Sequence, residues 1–216
     1  MAYKHIIWDW NGTLLDDTWL CVEVINQIMA LREMPPVNID SYRAEFGFPV
    51  IEYYHKLGFD LEHDPFEEIS VEFISEYNRR RMECHLYPEA LPMVEEVTRR
   101  GIDQVILSAH PQEMLEDIVA LFGMDKYFSK LIGHSDIYAN GKADNGRAHM
   151  ASLAHAPHEV LLIGDTLHDF EVAEAIGADC VLLEQGHQDR RRLEKAGVPV
   201  LDSHEKLLHA LESSTA

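Results

Sequence analysis

The chain has 216 residues and a formal net charge of −20, with 38 Asp and Glu against 18 Lys and Arg. A surface that acidic repels nucleic-acid backbones and anionic lipid, which argues against both as partners. It does not exclude a phosphorylated substrate, because a bound divalent cation reverses the local sign. With 46% hydrophobic residues the chain can bury a core without staples. Its three cysteines, Cys21, Cys84 and Cys180, lie far apart in apolar segments and read as buried thiols of a reducing compartment. The run His5 to Trp8 meets Asp9 at once, too short for a signal peptide, and nothing approaches a membrane span. The expected setting is cytoplasmic.

In chain order, Lys4 to Trp8 is an apolar run closed by Asp9 and then Asn11-Gly12-Thr13, a β-strand delivered into a tight turn. From Asp17 to about Leu31, Leu20, Val24, Ile28 and Leu31 recur at helical spacing until Pro35 and Pro36 stop the helix. The stretch to about Glu83 shows no strand. Short helices punctuated by Gly47, Pro49, Gly58 and Pro65, and a longer one near Phe66 to Arg81, make it an all-helical insertion. After Pro88 helix and strand alternate: helix Pro88–Arg100 ended by Gly101, strand Gln104–Leu107, helix Gln112–Phe122, strand Lys130–Ile132 and helix Gly146–His155. Strand Val160–Ile163, helix Phe170–Ile176, strand Cys180–Leu183 and two further helical segments around a short Val198–Leu201 strand follow. Repeated βα units imply a Rossmann-like α/β core, a parallel sheet covered on both faces.

Chemistry gathers at three strand ends: Asp9, Ser108, and Asp165 after Gly164. Open α/β sheets bind ligands beyond the carboxyl ends of their strands, so these residues are expected to converge. Each also has a plain reading. An Asp at a strand end caps the next helix, Ser108 forms a turn, and Lys142 beside Gly141 is a solvated loop lysine.

The segment Asp9-Trp10-Asn11-Gly12-Thr13-Leu14-Leu15-Asp16 resembles the first motif of the haloacid dehalogenase superfamily, DxDGTLxD. Ser108 after an apolar strand, Lys142 in GKADNGR, and Asp165 and Asp169 in GDTLHD resemble the other three motifs, in their usual order. The layout is most similar to the phosphoglycolate phosphatase-like branch. The resemblance implies an α/β core of residues 1–16 and 88–216 with a small α-helical cap at residues 17–87. It also implies a Mg²⁺-dependent phosphatase acting on a small phosphorylated metabolite. Asp9 would be the nucleophile, forming an aspartyl-phosphate. Asp9, Asp165 and the backbone carbonyl of Asn11 would hold Mg²⁺. Asp169 would orient a metal-bound water or Lys142, while Thr13, Ser108, Ala109 and Lys142 would hold the phosphoryl group.

One position departs from the pattern. The second aspartate of the first motif is Asn11, and an amide cannot exchange protons at ordinary pH. Losing general acid–base catalysis costs about 10²- to 10⁴-fold in rate. Three accounts follow: His110 or His168 supplies the proton; the leaving group departs unprotonated, as from an anhydride or acyl phosphate; or the protein mainly senses or holds a phosphorylated ligand. A phosphonate hydrolase would instead use a cap lysine, for which Lys56 is available. Arg43, Tyr53, Tyr54, His55 and Lys56 are the cap's candidate contacts. Arg79-Arg80-Arg81 reads as a solvated face, His187 receives no role, and Trp8, Trp10 and Trp19 read as packing around the first strand.

Overall fold

The computed structural model describes residues 3–134 and 141–207. Strand β1 (His5–Trp8) and a short β2 (Leu15–Asp16) are followed by helices α1 (Thr18–Ala30), α2 (Ile39–Glu45), α3 (Val50–Leu57) and α4 (Phe66–Arg80). Strand β3 (His85–Leu86) and helix α5 (Ala90–Arg99) then lead into β4 (Asp103–Pro111), α6 (Gln112–Leu121), β5 (Lys130–His134) and α7 (Lys142–Ser152). The chain continues through β6 (Val160–Gly164), α8 (Leu167–Ile176), β7 (Asp179–Leu183), a single-turn α9 (Arg190–Leu193) and β8 (Val200–Leu201). Most of the last expected helical segment lies outside the described residues.

Six parallel strands form one sheet in the order β5-β4-β1-β6-β7-β8. The chain leaves β1 for β4 and β5 on one side, then crosses back to β6 and β7 on the other. That reversal beside β1 opens the crevice where such sheets take ligands. Register fixes what meets there. Trp8 is level with Ile106 of β4 and with Ile163 of β6. Asp9, Ser108 and Asp165, one or two residues further on, therefore emerge at the same edge.

Strand alternation divides the core. Ile6 and Trp8 face one side with Ile106, Leu161 and Ile163, while Ile7 faces the other with Val105, Leu107 and Leu162. The first of these layers is continuous with the buried faces of the helical insertion, including Leu20, Val24, Tyr53 and Ile69. The insertion leaves and re-enters through β2 and β3, which pair antiparallel, Leu15 opposite Leu86. These two-residue strands are too short to give a period-2 signal, and no sequence expectation covered them. Helix α7 starts at Lys142, four residues before its expected Gly146 start, and this places the lysine in the first turn.

Trp8 and Trp10 are fully buried, in keeping with packing roles, and Trp19 is half-buried. The Trp8 indole N–H is satisfied inside the core: it donates to Gln104 Oε1 at 2.9 Å, while Gln104 Nε2 donates to the Val94 carbonyl (2.9 Å) and Thr98 Oγ1 (2.8 Å). A buried polar group left without its partner costs about 1–3 kcal/mol. Gln104→Leu strands the indole N–H, so its unfolding free energy in urea is expected to fall by about that amount.

Candidate active site

Lys142 is the hub. It is buried at the mouth of the crevice, and its ammonium donates to Asp9 Oδ1 and to Asp169 Oδ1, each at 2.5 Å. Asp169 caps a helix and meets Lys142 at once. Its Oδ2 accepts from the Thr166 hydroxyl (2.7 Å) and from the backbone N–H groups of Thr166 (3.0 Å) and Asp165 (3.2 Å), closing a capping box at the start of α8. Its other oxygen is thereby aimed at Lys142. Burial disfavours charge on both partners, but each charge sustains the other: the Lys142 pKa lies above its ordinary value and that of Asp169 below.

Asp165 completes the group. Its Oδ1 accepts from Thr13 Oγ1 (3.1 Å) and its Oδ2 from the backbone N–H of His187 (2.6 Å). The surrounding backbone is pressed close against this carboxylate. A Cβ at Gly12, where φ is +70°, would lie 2.3 Å from Asp165 Oδ2, and one at Gly186 only 2.2 Å away. Only glycine fits at either place. Ligand oxygens of Asp9, Asp165 and Asp169 fall within 4.8 Å of one another. Burial, opposed by Lys142 and aided by Asp169, pushes Asp9 up to about 6; burial, opposed by His187 and aided by Asp169 and Asp9, pushes Asp165 to about 8. Carboxylates crowded this way are short of positive charge, and an all-oxygen donor set suits a hard cation such as Mg²⁺.

Asn11 lies beside this group but its amide turns away toward the helical insertion. Nδ2 donates to Asp17 Oδ2 and to Tyr77 Oη, both at 2.8 Å. Asp17 Oδ2 also accepts from Tyr77 Oη (2.8 Å), and its Oδ1 accepts from the Gly12 N–H (2.9 Å). His187 Nε2 lies 3.2 Å from Asp17 Oδ1, and its Nδ1 is 3.0 Å from Tyr42 Oη. The roleless reading of His187 is thus corrected. Its backbone holds Asp165 and its ring pairs with Asp17, a residue read only as a helix start. Neither carried a recognisable spacing; contact across 170 residues of chain is set by the fold.

Asp17 is held below the usual carboxylate range: burial opposes this, and His187 with its hydrogen bonds prevails. Burial likewise depresses His187, but Asp17, then Asp165 and Asp9, raise it to about 9. At neutral pH it is a buried imidazolium. His110 and His168, the expected proton sources, behave oppositely. Burial, then the Arg81 charge, lowers His110 to about 4; burial, then Lys142, lowers His168. Both are held away from the imidazolium form that a general acid needs.

A cavity of about 650 Å³ runs from these acids to the helical insertion. Tyr53, Tyr54, Ser108, Ala109, His110 and His168 line it. The Ser108 hydroxyl accepts from the His110 N–H at 3.1 Å. The other expected contacts lie elsewhere. Arg43 clamps the carbonyls of Gly186 (2.8 Å) and Gln185 (2.5 Å), His55 is exposed, and exposed Lys56 pairs with Glu45 at 3.6 Å. Arg79 is exposed beside Glu76, whereas Arg80 pairs with Glu23 and Glu83, and Arg81 reaches the Met114 carbonyl of α6 at 2.7 Å. The arginine run is therefore only partly a solvated face.

Two outcomes follow. Cation binding requires deprotonated carboxylates, so Mg²⁺ is expected to raise the melting temperature more at pH 8 than at pH 6, checked by scanning fluorimetry with and without the metal. Stability from a histidine whose folded pKa is raised is complete below its unfolded value and lost as pH climbs through about 9; that from depressed Asp17 is lost only on acidification. Asp17→Asn is therefore expected to cost about 3 kcal/mol at pH 6 and much less at pH 10, measured by urea unfolding in chelator.

Residues 6–183 match the haloacid dehalogenase-like hydrolase family model. Phosphoglycolate phosphatase 1 of Pseudomonas aeruginosa is 24% identical over 95% of this chain and 78% of its own length. Tyrosine-protein kinase PtkA of Mycobacterium tuberculosis is 23% identical over 91% and 67%. Among solved structures, a haloacid dehalogenase-like family hydrolase from Streptococcus pneumoniae superposes with a TM-score of 0.82 at 18% identity, covering 96% of this chain and 98% of that one. The fold and four ordered motifs meet in one assignment: the chain belongs to the haloacid dehalogenase-like hydrolases, in the phosphoglycolate phosphatase-like branch at low identity.

Proposed function

We propose that the protein is a Mg²⁺-dependent phosphohydrolase in which Asp9 attacks the phosphorus of a small phosphorylated metabolite. The observation that carries this reading is the buried Lys142 ammonium bonded to Asp9 and anchored by Asp169 at 2.5 Å each, with Asp165 across the same crevice. Asp9, Asp165 and the Asn11 carbonyl would hold the cation, which when bound offsets the negative charge of the phosphoryl oxygens. Lys142 keeps Asp9 ionised and oriented, and its remaining hydrogen-bonding capacity faces the phosphoryl oxygens as their charge redistributes. Ser108 and the Ala109 backbone complete the cradle, while Thr13 acts indirectly by holding Asp165. Residues 17–87 serve as the cap, excluding water over the site. The three free, buried thiols suit a reducing, cytoplasmic setting.

Asn11 favours a second reading, a phospho-ligand binder or sensor with little turnover, because its amide is locked to Asp17 and Tyr77 and transfers no proton. The phosphonate reading loses its support with Lys56 on the surface. p-Nitrophenyl phosphate and acetyl phosphate need little or no leaving-group protonation and separate the two remaining readings. Turnover that requires Mg²⁺ and falls at least about 10³-fold in Asp9→Asn supports the hydrolase. Saturable phosphate binding by calorimetry with neither compound hydrolysed supports the binder.

A further inference from the structure

Relatives in this branch carry the name of a phosphatase for a two-carbon carboxylate, and the cavity is built for something else. At about 650 Å³ it lies in the range that encloses a drug-sized ligand, about 300–1,000 Å³. The wall supplied by the helical insertion is aromatic and aliphatic, with Phe46, Phe48, Tyr54, Phe66, Phe73 and Ile74 among its residues. Among the described residues lining it, Lys142 is the one Lys or Arg, and it is committed to Asp9 and Asp169. The imidazolium of His187 is committed to Asp17. Arg43, the cap cation nearest in sequence to Tyr42, is spent on two backbone carbonyls. A leaving group bearing its own carboxylate would be buried there without a counter-charge, which is costly.

One further observation narrows the leaving group. The position that should protonate a departing oxygen is Asn11, whose amide is turned onto Asp17 and Tyr77. Resting on the phosphohydrolase reading above, we infer that the substrates are aryl phosphate monoesters, whose uncharged aromatic ring fills the cap side of the cavity. An aryloxide, whose conjugate acid titrates near about 10 as tyrosine does, leaves unprotonated far more readily than an alkoxide, whose acid lies nearer the 15.7 of water. The step balances without a proton donor. An Asp9 oxygen forms the new bond to phosphorus as the aryl oxygen–phosphorus bond breaks, its electron pair departing on the aryloxide, which takes a proton from solvent. Water then attacks phosphorus as the Asp9 oxygen–phosphorus bond breaks, the electron pair returning to the Asp9 carboxylate and both water protons leaving on inorganic phosphate.

The test compares acetyl phosphate, 1-naphthyl phosphate, a series of substituted phenyl phosphates, 2-phosphoglycolate and glycerol 3-phosphate with Mg²⁺. Acetyl phosphate needs neither the cavity nor a proton donor and reports on the phosphohydrolase reading alone. The expected result is a kcat/KM for 1-naphthyl phosphate at least about 100-fold above both alkyl esters, with rates in the phenyl series falling steeply as the phenol becomes less acidic. In Phe73→Ala and, separately, Ile74→Ala, half-buried positions in the wall, the ratio of naphthyl to acetyl phosphate kcat/KM is expected to fall about tenfold. Hydrolysis of acetyl phosphate with 2-phosphoglycolate equal to or better than the aryl esters, or a ratio unmoved in both variants, overturns the inference and leaves the phosphohydrolase reading standing. No hydrolysis of any of these compounds, acetyl phosphate included, overturns both.

Discussion

A single buried ammonium organises this crevice. Three carboxylates from two segments of the chain, Asp9 and the pair Asp165 and Asp169, are taken out of water within 4.8 Å of one another, and two like charges so close resist ionising together. Lys142 is the protein's own answer to two of them. Its position follows from α7 beginning at that residue, so that the first turn of the helix delivers the side chain to the sheet edge. Removing the lysine would leave Asp9 and Asp169 facing each other uncompensated. Truncating Asp169 would instead free the lysine and uncap α8 together, because one carboxylate serves both. Helix start, strand register and ion pair are therefore a single arrangement.

The third carboxylate is handled differently. Asp165 is held by a hydroxyl and a backbone N–H, and shares the charge of His187 with Asp17. Those donors stabilise its charge less than an ammonium would, which is why burial and its acidic neighbours still lift it to about 8. The deficit is what makes a divalent cation the natural complement here. The −20 net charge, which argues against polyanionic partners, does not oppose a phosphoryl group where a cation and Lys142 set the local field.

Much of this was legible in the sequence because it rests on local rules. An apolar run ending in Asp, an alternation of strand and helix, and a glycine after a periodic segment specify strands, crossovers and stops without long-range information. The convergence of Asp9, Ser108 and Asp165 followed from the parallel sheet alone, and the register through Trp8 is what brings it about. What the sequence hid depends on contacts without periodicity. The β2–β3 pair is two residues long on each side. Asp17 and His187 are 170 residues apart and look, singly, like a helix start and a loop histidine. Arg43 and Lys56 looked like ligand contacts because charge on a cap suggests binding; the fold spends the first on the carbonyls of the loop that carries His187 and leaves the second in solvent.

Asn11 is then more than an aspartate missing from a motif. Its amide donates to Asp17 Oδ2 at 2.8 Å, where a carboxylate would instead meet a second buried carboxylate. One of the pair would have to carry a proton, or Asp17 would have to give up His187. With Asp17 ionised and bound to a buried imidazolium, the donor amide is the compatible partner at position 11. The same cluster takes Tyr42 from α2 and Tyr77 from α4, so the helical insertion closes onto the core through the residues that displace the usual proton-transfer group. Anchored this way, the helical insertion holds position 11 in a form that exchanges no proton, so the chemistry open to the site is set by how the insertion is held.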